Sequence, residues 1–131
     1  MSVDLAAEIP NAGLFDTEAE KFARAFHEEA IEMKRKKNKE INKSAQIRRF
    51  YDELVSWQER IGGDDAKFRQ YEAFIRMLNA KVAYAKGRGL VGESFERWFR
   101  DCIKGTTSAR ALDHFRLHFE AVLGFLKALH G

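Results

Sequence analysis

Apolar residues recur at three- and four-residue intervals along most of this chain, which is the spacing of one buried helix face. No segment alternates apolar and polar residues over the length of a strand. The clearest stripes are Ile47, Phe50, Tyr51, Leu54 and Ile61, then Phe68, Tyr71, Ile75, Leu78, Val82 and Ala85, then Phe95, Trp98, Phe99, Cys102 and Ile103, and finally Leu112, Phe115, Phe119, Val122, Leu123, Leu126 and Leu129. A weaker stripe of Phe22, Phe26 and Met33 precedes them. The pattern predicts an all-α fold, a compact single-domain bundle of about five helices.

Turn and capping residues separate the stripes. Thr17 and Glu20 have the spacing of a capping box, so the first helix is predicted to begin at Thr17. Ser44 is predicted to cap the second helix, and Asp64 or Asp65 the third. Glycines follow the predicted ends of the second, third and fourth helices (Gly62, Gly63, Gly87, Gly89 and Gly105). Residues 1–16 contain helix breakers and are predicted to form a flexible lead, with residues 17–131 as the single domain.

The last predicted helix carries a second apolar line, opposite its core stripe. This line consists of Leu117, Ala121, Phe125 and Ala128. A helix that is apolar nearly all round is either central in its own bundle or covered by another chain. Both alternatives stay open from the sequence.

The charge is unevenly distributed. The chain has 131 residues and a formal net charge of +3, but residues 1–33 carry a net charge of −6 and residues 34–49 a net charge of +7. Such a block of like charge distinguishes this chain from one whose charges are evenly mixed. Apolar periodicity disappears over residues 34–39, which therefore form either a frayed helix end or a mobile basic loop. The loss of periodicity favours the loop.

Residues suited to catalysis or metal binding are sparse. The single cysteine, Cys102, excludes a disulfide framework and a multi-cysteine zinc site. His114 and His118 lie one helical turn apart but lack a third ligand at suitable spacing, so they are interpreted as surface histidines. We expect no cofactor, no metal site and no enzymatic activity. The chain also lacks a targeting signal and a long apolar span, which predicts a soluble, cytoplasmic protein without a membrane partner.

Cationic residues occupy the predicted outer faces of several helices. They are Arg48 and Arg49 on the second helix, Arg69, Arg76, Lys81 and Arg88 on or after the third, and Arg97, Arg100 and Lys104 on the fourth. Beside the basic block, they predict a polyanion-binding surface. Tyr84 adds a ring for stacking or sugar contact. Binding through phosphates is expected to be salt-sensitive and weakly dependent on sequence.

Three segments resemble a known family. Residues 43–51 (Lys-Ser-Ala-Gln-Ile-Arg-Arg-Phe-Tyr), residues 77–88 (Met-Leu-Asn-Ala-Lys-Val-Ala-Tyr-Ala-Lys-Gly-Arg) and the Phe-rich helix around residues 114–127 are similar to the small α-helical subunit of type III-A CRISPR (Csm) effector complexes. The resemblance spans about residues 41–130. It implies a non-catalytic subunit that stacks in several copies along guide RNA and paired target RNA, beside the backbone subunit and the large polymerase-like subunit, and supports target binding in antiviral defence.

The resemblance also implies which residues contact RNA. Carried over by position, these are Lys43, Arg48, Arg49, Lys81 and Arg88, with Tyr84 as a further contact. Arg97, Arg100 and Lys104 are added from the charged face of the fourth helix alone. A second interpretation, from a different functional class, is a helical protein-interaction or self-associating scaffold module whose basic face meets acidic protein and has no RNA role.

Overall fold

Five α-helices and a short 3₁₀ helix make up the fold between residues 3 and 130, the part of the chain that the computed structural model describes. The 3₁₀ helix is Ala12–Phe15, and the α-helices are α1 (Thr17–Lys37), α2 (Ser44–Ile61), α3 (Asp65–Gly87), α4 (Glu93–Gly105) and α5 (Ala109–His130). No strand occurs within residues 3–130. The prediction of an all-α bundle of about five helices is therefore confirmed.

Helix α1 extends through much of the basic run, so the prediction of a loop is wrong for residues 34–37. The helix ends at Asn38, whose φ of 54° is left-handed. Glu32 pairs with two cations of the last turn, Arg35 at 2.7 Å and Lys36 at 2.9 Å. Cations at a helix C-terminus are also favoured by the helix dipole. The run lacks apolar periodicity because this end of the helix has no buried face.

Helix α5 is the central element of the bundle and packs against both α1 and α2. Its core stripe meets the aromatic side chains of α4: the Phe119 and Trp98 rings lie 4.9 Å apart, edge to face, and Phe119 has no exposed surface. The second apolar line is half-buried at Ala121 and Phe125, whereas Leu117 remains 47% exposed. The packing on two sides supports the central-helix alternative.

The segment before α1 packs against the bundle. Val3, Leu5 and Leu14 are buried and belong to the hydrophobic core, although the sequence pattern assigns no core residue to this predicted lead. The 3₁₀ helix contacts both α1 and α5. Isolated apolar residues without helical spacing give no signal in a periodicity search, because their burial depends on a distant surface.

His114 and His118 bind this segment and are buried, so their interpretation as surface histidines is wrong. The Nδ1 atom of His114 lies 2.9 Å from the Leu5 carbonyl oxygen, and Nδ1 of His118 lies 2.6 Å from that of Leu14. The indole N–H of Trp98 donates to Nε2 of His118 at 3.0 Å. His118 is therefore a neutral imidazole that donates from Nδ1 and accepts at Nε2. Burial lowers the pKa of His118.

The predicted helix boundaries agree with the structure better than the predicted N-terminal caps do. Helix α1 begins at Thr17 as predicted, whereas Ser44, the predicted cap of α2, is instead its first helical residue; neither N-terminus has a side-chain cap. The Ser44 hydroxyl is buried without a partner among the described residues. At α3 the predicted cap is present, because Asp64 Oδ1 accepts from the Ala66 and Lys67 N–H groups at 2.8 and 3.3 Å.

Asn42 and Glu29 join three parts of the bundle, which we call the Asn42 junction. Asn42 is fully buried at a φ of 57°; its amide donates to the Phe26 carbonyl at 3.0 Å, and its Oδ1 accepts from the Gly92 N–H at 2.9 Å. The Glu29 carboxylate accepts from the Glu93 N–H at 3.0 Å and caps the start of α4. A β-carbon at Gly92 would overlap the Glu29 carboxylate, so a larger residue here would displace the group that caps α4.

Candidate nucleic-acid interface

The side chains predicted to contact RNA are all exposed on the folded chain. This holds for Lys43, Arg48, Arg49, Lys81, Tyr84, Arg88, Arg97, Arg100 and Lys104. The structure does not bring them onto a single surface. It separates them into a group on the α2–α3 pair, a group on α4, and two residues at other places.

A groove between α2 and α3 collects the first group. Arg49 projects into it from α2, and Lys81 and Tyr84 from α3, over a volume of about 570 Å³. Gln46, Phe50, Asp52, Glu53, Ala85 and Leu90 complete the lining. The two helices are connected by the short turn at Gly62, whose φ of 56° ends α2 and reverses the chain. This reversal places Arg49 beside residues more than thirty positions further along the sequence. We call this surface the α2–α3 groove.

Arg88 extends the groove at the end of α3. Its guanidinium lies 5.7 Å from the centre of the Tyr84 ring, and its Nη1 donates to the Tyr84 hydroxyl at 2.9 Å. Tyr84 is 65% exposed, so one edge of the ring is held by Arg88 while much of its surface meets solvent. A cation and a ring held together in this way match the phosphate and the base or sugar of one nucleotide.

The cations of the groove differ in how they are paired. Lys81 Nζ lies 2.6 Å from Glu53 Oε1. Arg49 and Arg88 have no carboxylate within ion-pair distance among residues 3–130. Exposed ion pairs contribute little to stability, about 0–1 kcal/mol, so Lys81 is readily released to another anion. The groove therefore offers two guanidinium groups without a carboxylate partner and one exchangeable ammonium, beside the Asp52 and Glu53 carboxylates of its lining.

The residues of the α4 group do not line the α2–α3 groove. Arg97 pairs with Glu93 at 2.9 Å, and Arg100 lies 3.8 Å from Glu96. The same Glu96 lies 3.8 Å from Lys86 of α3. Lys104 is exposed one turn further along. Carboxylates accompany the two arginines, so this face carries less net positive charge than its arginine content indicates.

Lys43 and Arg48 belong to neither group. Lys43 lines a separate pocket of about 470 Å³ between α1 and the segment that follows it, and pairs with Glu40 at 3.6 Å. The Arg48 guanidinium lies 5.7 Å from the centre of the Tyr51 ring. Burial raises the pKa of Tyr51, whose hydroxyl donates to Glu120 of α5 at 3.0 Å. Arg48 Nε also lies 3.9 Å from Oδ1 of Asp52, which lines the groove, so Arg48 lies outside the groove lining but next to it.

Two residues near the candidate site were not among the predicted contacts. Gln46 lines the groove one helical step before Arg49, a spacing that the sequence does show. Lys86 lies near Glu96 and connects α3 to α4. Lys86 carries no signal of its own, because its role depends on the packing of α4 against α3.

Sites for metal or thiol chemistry are absent from the described part of the chain. No three His, Cys, Asp or Glu side chains within residues 3–130 are placed to hold a metal ion together. The thiol of Cys102 is fully buried, and burial raises its pKa well above the ordinary value. A buried, protonated thiol is a poor nucleophile. Over the same residues, no helix is both long and apolar enough to cross a membrane.

The fold and its groove define a small all-α protein with an exposed surface that combines arginine, lysine and tyrosine side chains. Residues 11–131 match the family model described as Csm2 Type III-A. The chain belongs to this family of small subunits of type III-A CRISPR complexes, as the resemblance predicts. Comparisons with curated proteins and with solved structures gave no match.

Proposed function

We propose that this chain is a non-catalytic RNA-binding subunit of a type III-A CRISPR ribonucleoprotein. It stacks along the guide RNA and the target RNA paired with it and supports target binding in cytoplasmic antiviral defence. The observation that carries the RNA role is the α2–α3 groove, where Arg49, Lys81, Tyr84 and Arg88 come together from two helices. Family membership supports the place of the chain within a complex of several subunits.

The chemistry of the groove favours a nucleic-acid backbone. Arg49 and Arg88 offer forked donors without internal carboxylate partners, and such donors bind phosphate oxygens in a bidentate manner. Tyr84 offers an exposed ring beside them. Contacts of this kind position a strand without reading its bases, so we expect little sequence preference and a strong dependence on salt.

Assembly with further copies requires two different surfaces, because heterologous contacts propagate whereas a two-fold contact closes. The stretch of α1 before residue 34, which carries Glu28, Glu29 and Glu32, is acidic and is a candidate to meet a basic patch of the next copy. Two of these carboxylates already have internal partners: Glu29 caps α4 and Glu32 pairs within α1. Glu28 is exposed and suited to test an intermolecular contact. Backbone and polymerase-like subunits are the other expected neighbours.

RNA binding by the isolated full chain tests the proposal. Fluorescence anisotropy of a labelled single-stranded RNA is followed over a range of salt for the parent and for Arg49→Glu/Arg88→Glu. We expect the double variant to lose at least tenfold in affinity and its salt dependence to become shallower by about 0.7–0.9 for each lost phosphate contact. Circular dichroism verifies that helical content is unchanged.

A matched control makes the same charge change outside the groove. Arg110→Glu/Lys127→Glu reverses two exposed cations of α5. This variant is expected to bind RNA within about threefold of the parent, since only the long-range field changes. Equal losses in both variants would contradict the groove as the site. A parent chain that self-associates without binding RNA would instead support the scaffold interpretation.

The predicted contacts outside the groove are tested in the same assay. Lys43, Arg48, Arg97, Arg100 and Lys104 are each replaced by Ala. We expect smaller losses than at Arg49, because Lys43 and three of the arginines have carboxylates within ion-pair distance. A loss at the α4 residues equal to that at Arg49 would place the RNA path across α4 instead.

A further inference from the structure

A cluster of aromatic residues lies where α2 and α3 meet, beyond the groove. The Trp57 and Phe74 rings are stacked, with centroids 5.5 Å apart and planes 7° from parallel, and Tyr71 lies beside Trp57 at 5.5 Å. Phe74 is 48% exposed although Trp57 covers one face of its ring. Core packing explains the burial of neighbouring rings but not an exposed, ordered stack of this kind. We call Trp57, Phe74, Tyr71 and Arg60 the α2–α3 aromatic cluster.

The cluster is continuous with the groove. Phe74, Met77, Lys81, Tyr84 and Arg88 follow one another at three- and four-residue steps, which places them on one stripe of α3. All five are exposed. Phe74 and Tyr84 are ten positions apart, or about 15 Å along the helix. One stripe of α3 therefore presents rings and cations in alternation over a length that spans a few nucleotides.

The charge of the cluster favours an anionic ligand. The Arg60 guanidinium lies 5.0 Å from the Trp57 ring centre and 5.9 Å from that of Tyr71, and no carboxylate of residues 3–130 lies within ion-pair distance of it. An arginine held on aromatic faces keeps its charge and its outward N–H groups. A purely apolar protein contact would leave this cation without a counterion, whereas a phosphate beside a stacked base would satisfy it.

We propose that the α2–α3 aromatic cluster is a stacking platform for a nucleobase of single-stranded RNA whose backbone follows the α2–α3 groove. The base lies on the free side of Phe74 and extends its stack with Trp57, while Arg60 meets the adjacent phosphate. Every base has a π-face, so the platform adds affinity without selecting sequence. This inference rests on the proposed RNA role and assigns it a second kind of contact, to bases rather than to phosphates.

The test compares two RNA probes on the full chain. One is a single-stranded oligouridylate, and the other is an abasic oligoribonucleotide of equal length and charge. Phe74→Leu keeps an apolar side chain but removes the ring. We expect this variant to bind the oligouridylate about tenfold more weakly, within the roughly 5- to 150-fold range for one lost base–aromatic stack, and to bind the abasic probe as the parent does. Leu117→Ala, which changes a similarly exposed apolar residue on α5, is expected to leave both affinities unchanged.

Tryptophan emission provides a second measurement. The chain has two tryptophans, and Trp98 is 2% exposed. Quenching by the oligouridylate therefore reports on Trp57 and is expected to disappear in Trp57→Phe. The abasic probe is expected to quench much less.

The outcomes separate this inference from the proposed function. Normal oligouridylate binding by Phe74→Leu, with loss of binding in Arg49→Glu/Arg88→Glu, would overturn the platform and leave the RNA role intact. Loss in neither variant would overturn both. If Phe74→Leu binds both probes normally but weakens self-association in sedimentation, the cluster is a protein-docking surface and the platform is wrong.

Discussion

Polar side chains are buried at several positions on the α1–α5 side of the bundle, whereas the cationic side chains of α2 and α3 are exposed. On the side of α1 and α5, buried polar side chains have internal partners: Asn42, in the segment after α1, and His118 of α5 have no exposed surface, and each bonds to two or more groups. Along α2 and α3, Arg49, Tyr84 and Arg88 are exposed, and none of them is tied to a carboxylate. The first arrangement fixes one helix against another, whereas the second leaves its bonding capacity to a ligand.

This difference shows that residue type alone does not identify a binding site. Two histidines one turn apart resemble half of a metal site, yet here they bind the backbone of the N-terminal segment. A carboxylate in the acidic stretch of α1 before residue 34 is a candidate for contact with another copy, yet Glu29 caps α4. What distinguishes an interface residue is exposure without an internal partner. The following predictions test whether the two sides are separable in stability and in binding.

The largest expected effect separates two phenylalanines. Phe119→Ala removes a fully buried ring from the aromatic core and is expected to lower the free energy of unfolding by about 3–5 kcal/mol. Phe74→Ala removes a half-exposed ring and is expected to lower it by no more than about 1 kcal/mol. Chemical denaturation of both variants measures the difference. Equal losses would mean that Phe74 serves the core and would remove the contrast between the two sides.

The next effect concerns two asparagines. Asn42→Ala leaves the Gly92 N–H buried without its partner, removes the bond to the Phe26 carbonyl and places alanine at a positive φ. We expect a loss of about 2–4 kcal/mol in unfolding free energy. Asn79→Ala is the matched control, because its buried Oδ1 has no partner among the described residues and alanine favours helix. That control is expected to be neutral or stabilising, and a large loss there would contradict the bond-based explanation.

Much of the fold was predictable because it follows from local chemistry. Helical spacing gave the five helices, and Gly62 and Asp64 marked the boundary between α2 and α3. The exceptions involve partners distant in sequence. Val3 and Leu5 carry no periodicity, and Glu29 caps a helix that begins more than sixty residues later. A basic helix end without a buried face has no periodic signal either, which is why residues 34–37 were assigned to a loop.

The candidate site was predictable in its residues but not in its grouping. Exposed faces of α2, α3 and α4 correctly identified which cations reach solvent. Their grouping depends on how α2 packs against α3, which places Arg49 and Lys81 in one groove and leaves Arg48 outside its lining. The exposed stack of Trp57 and Phe74 could not be predicted from the sequence for a related reason. Both residues are apolar and occur among core residues, so the sequence gives no indication that Phe74 faces outward.

A smaller effect is expected from pH on the buried side. Burial lowers the pKa of His118, so the unfolded chain takes up a proton there at a higher pH than the folded chain does. The stability that neutral His118 supports is complete above about pH 6.5, the ordinary histidine value, and declines as the pH falls below it. The decline is at most about 1.4 kcal/mol per pH unit, the slope for one proton.

The variant His118→Gln isolates this contribution. Glutamine keeps an acceptor and a donor but does not titrate, so the difference in unfolding free energy between parent and variant is expected to shrink as the pH falls from 7 to 5. Thermal or chemical unfolding at several pH values measures it. A difference that stays constant over this range would show that His118 remains able to titrate in the folded chain.

The smallest effect on stability is expected on the exposed side, at the carboxylate that occupies Lys81. Glu53→Gln removes the 2.6 Å ion pair with Lys81 and one negative charge from the α2–α3 groove. An exposed pair contributes about 0–1 kcal/mol, so the melting temperature should change little. RNA binding should become a few-fold tighter at low salt, because Lys81 is free to bind phosphate and the electrostatic potential of the groove becomes more positive. The matched variant Glu93→Gln releases Arg97 on α4 in the same way. Tighter binding only in Glu53→Gln would locate the RNA in the groove. Equal gains in both variants would extend the RNA path to α4. Weaker binding in Glu53→Gln would show that Glu53 holds Lys81 in position and does not compete with RNA for it.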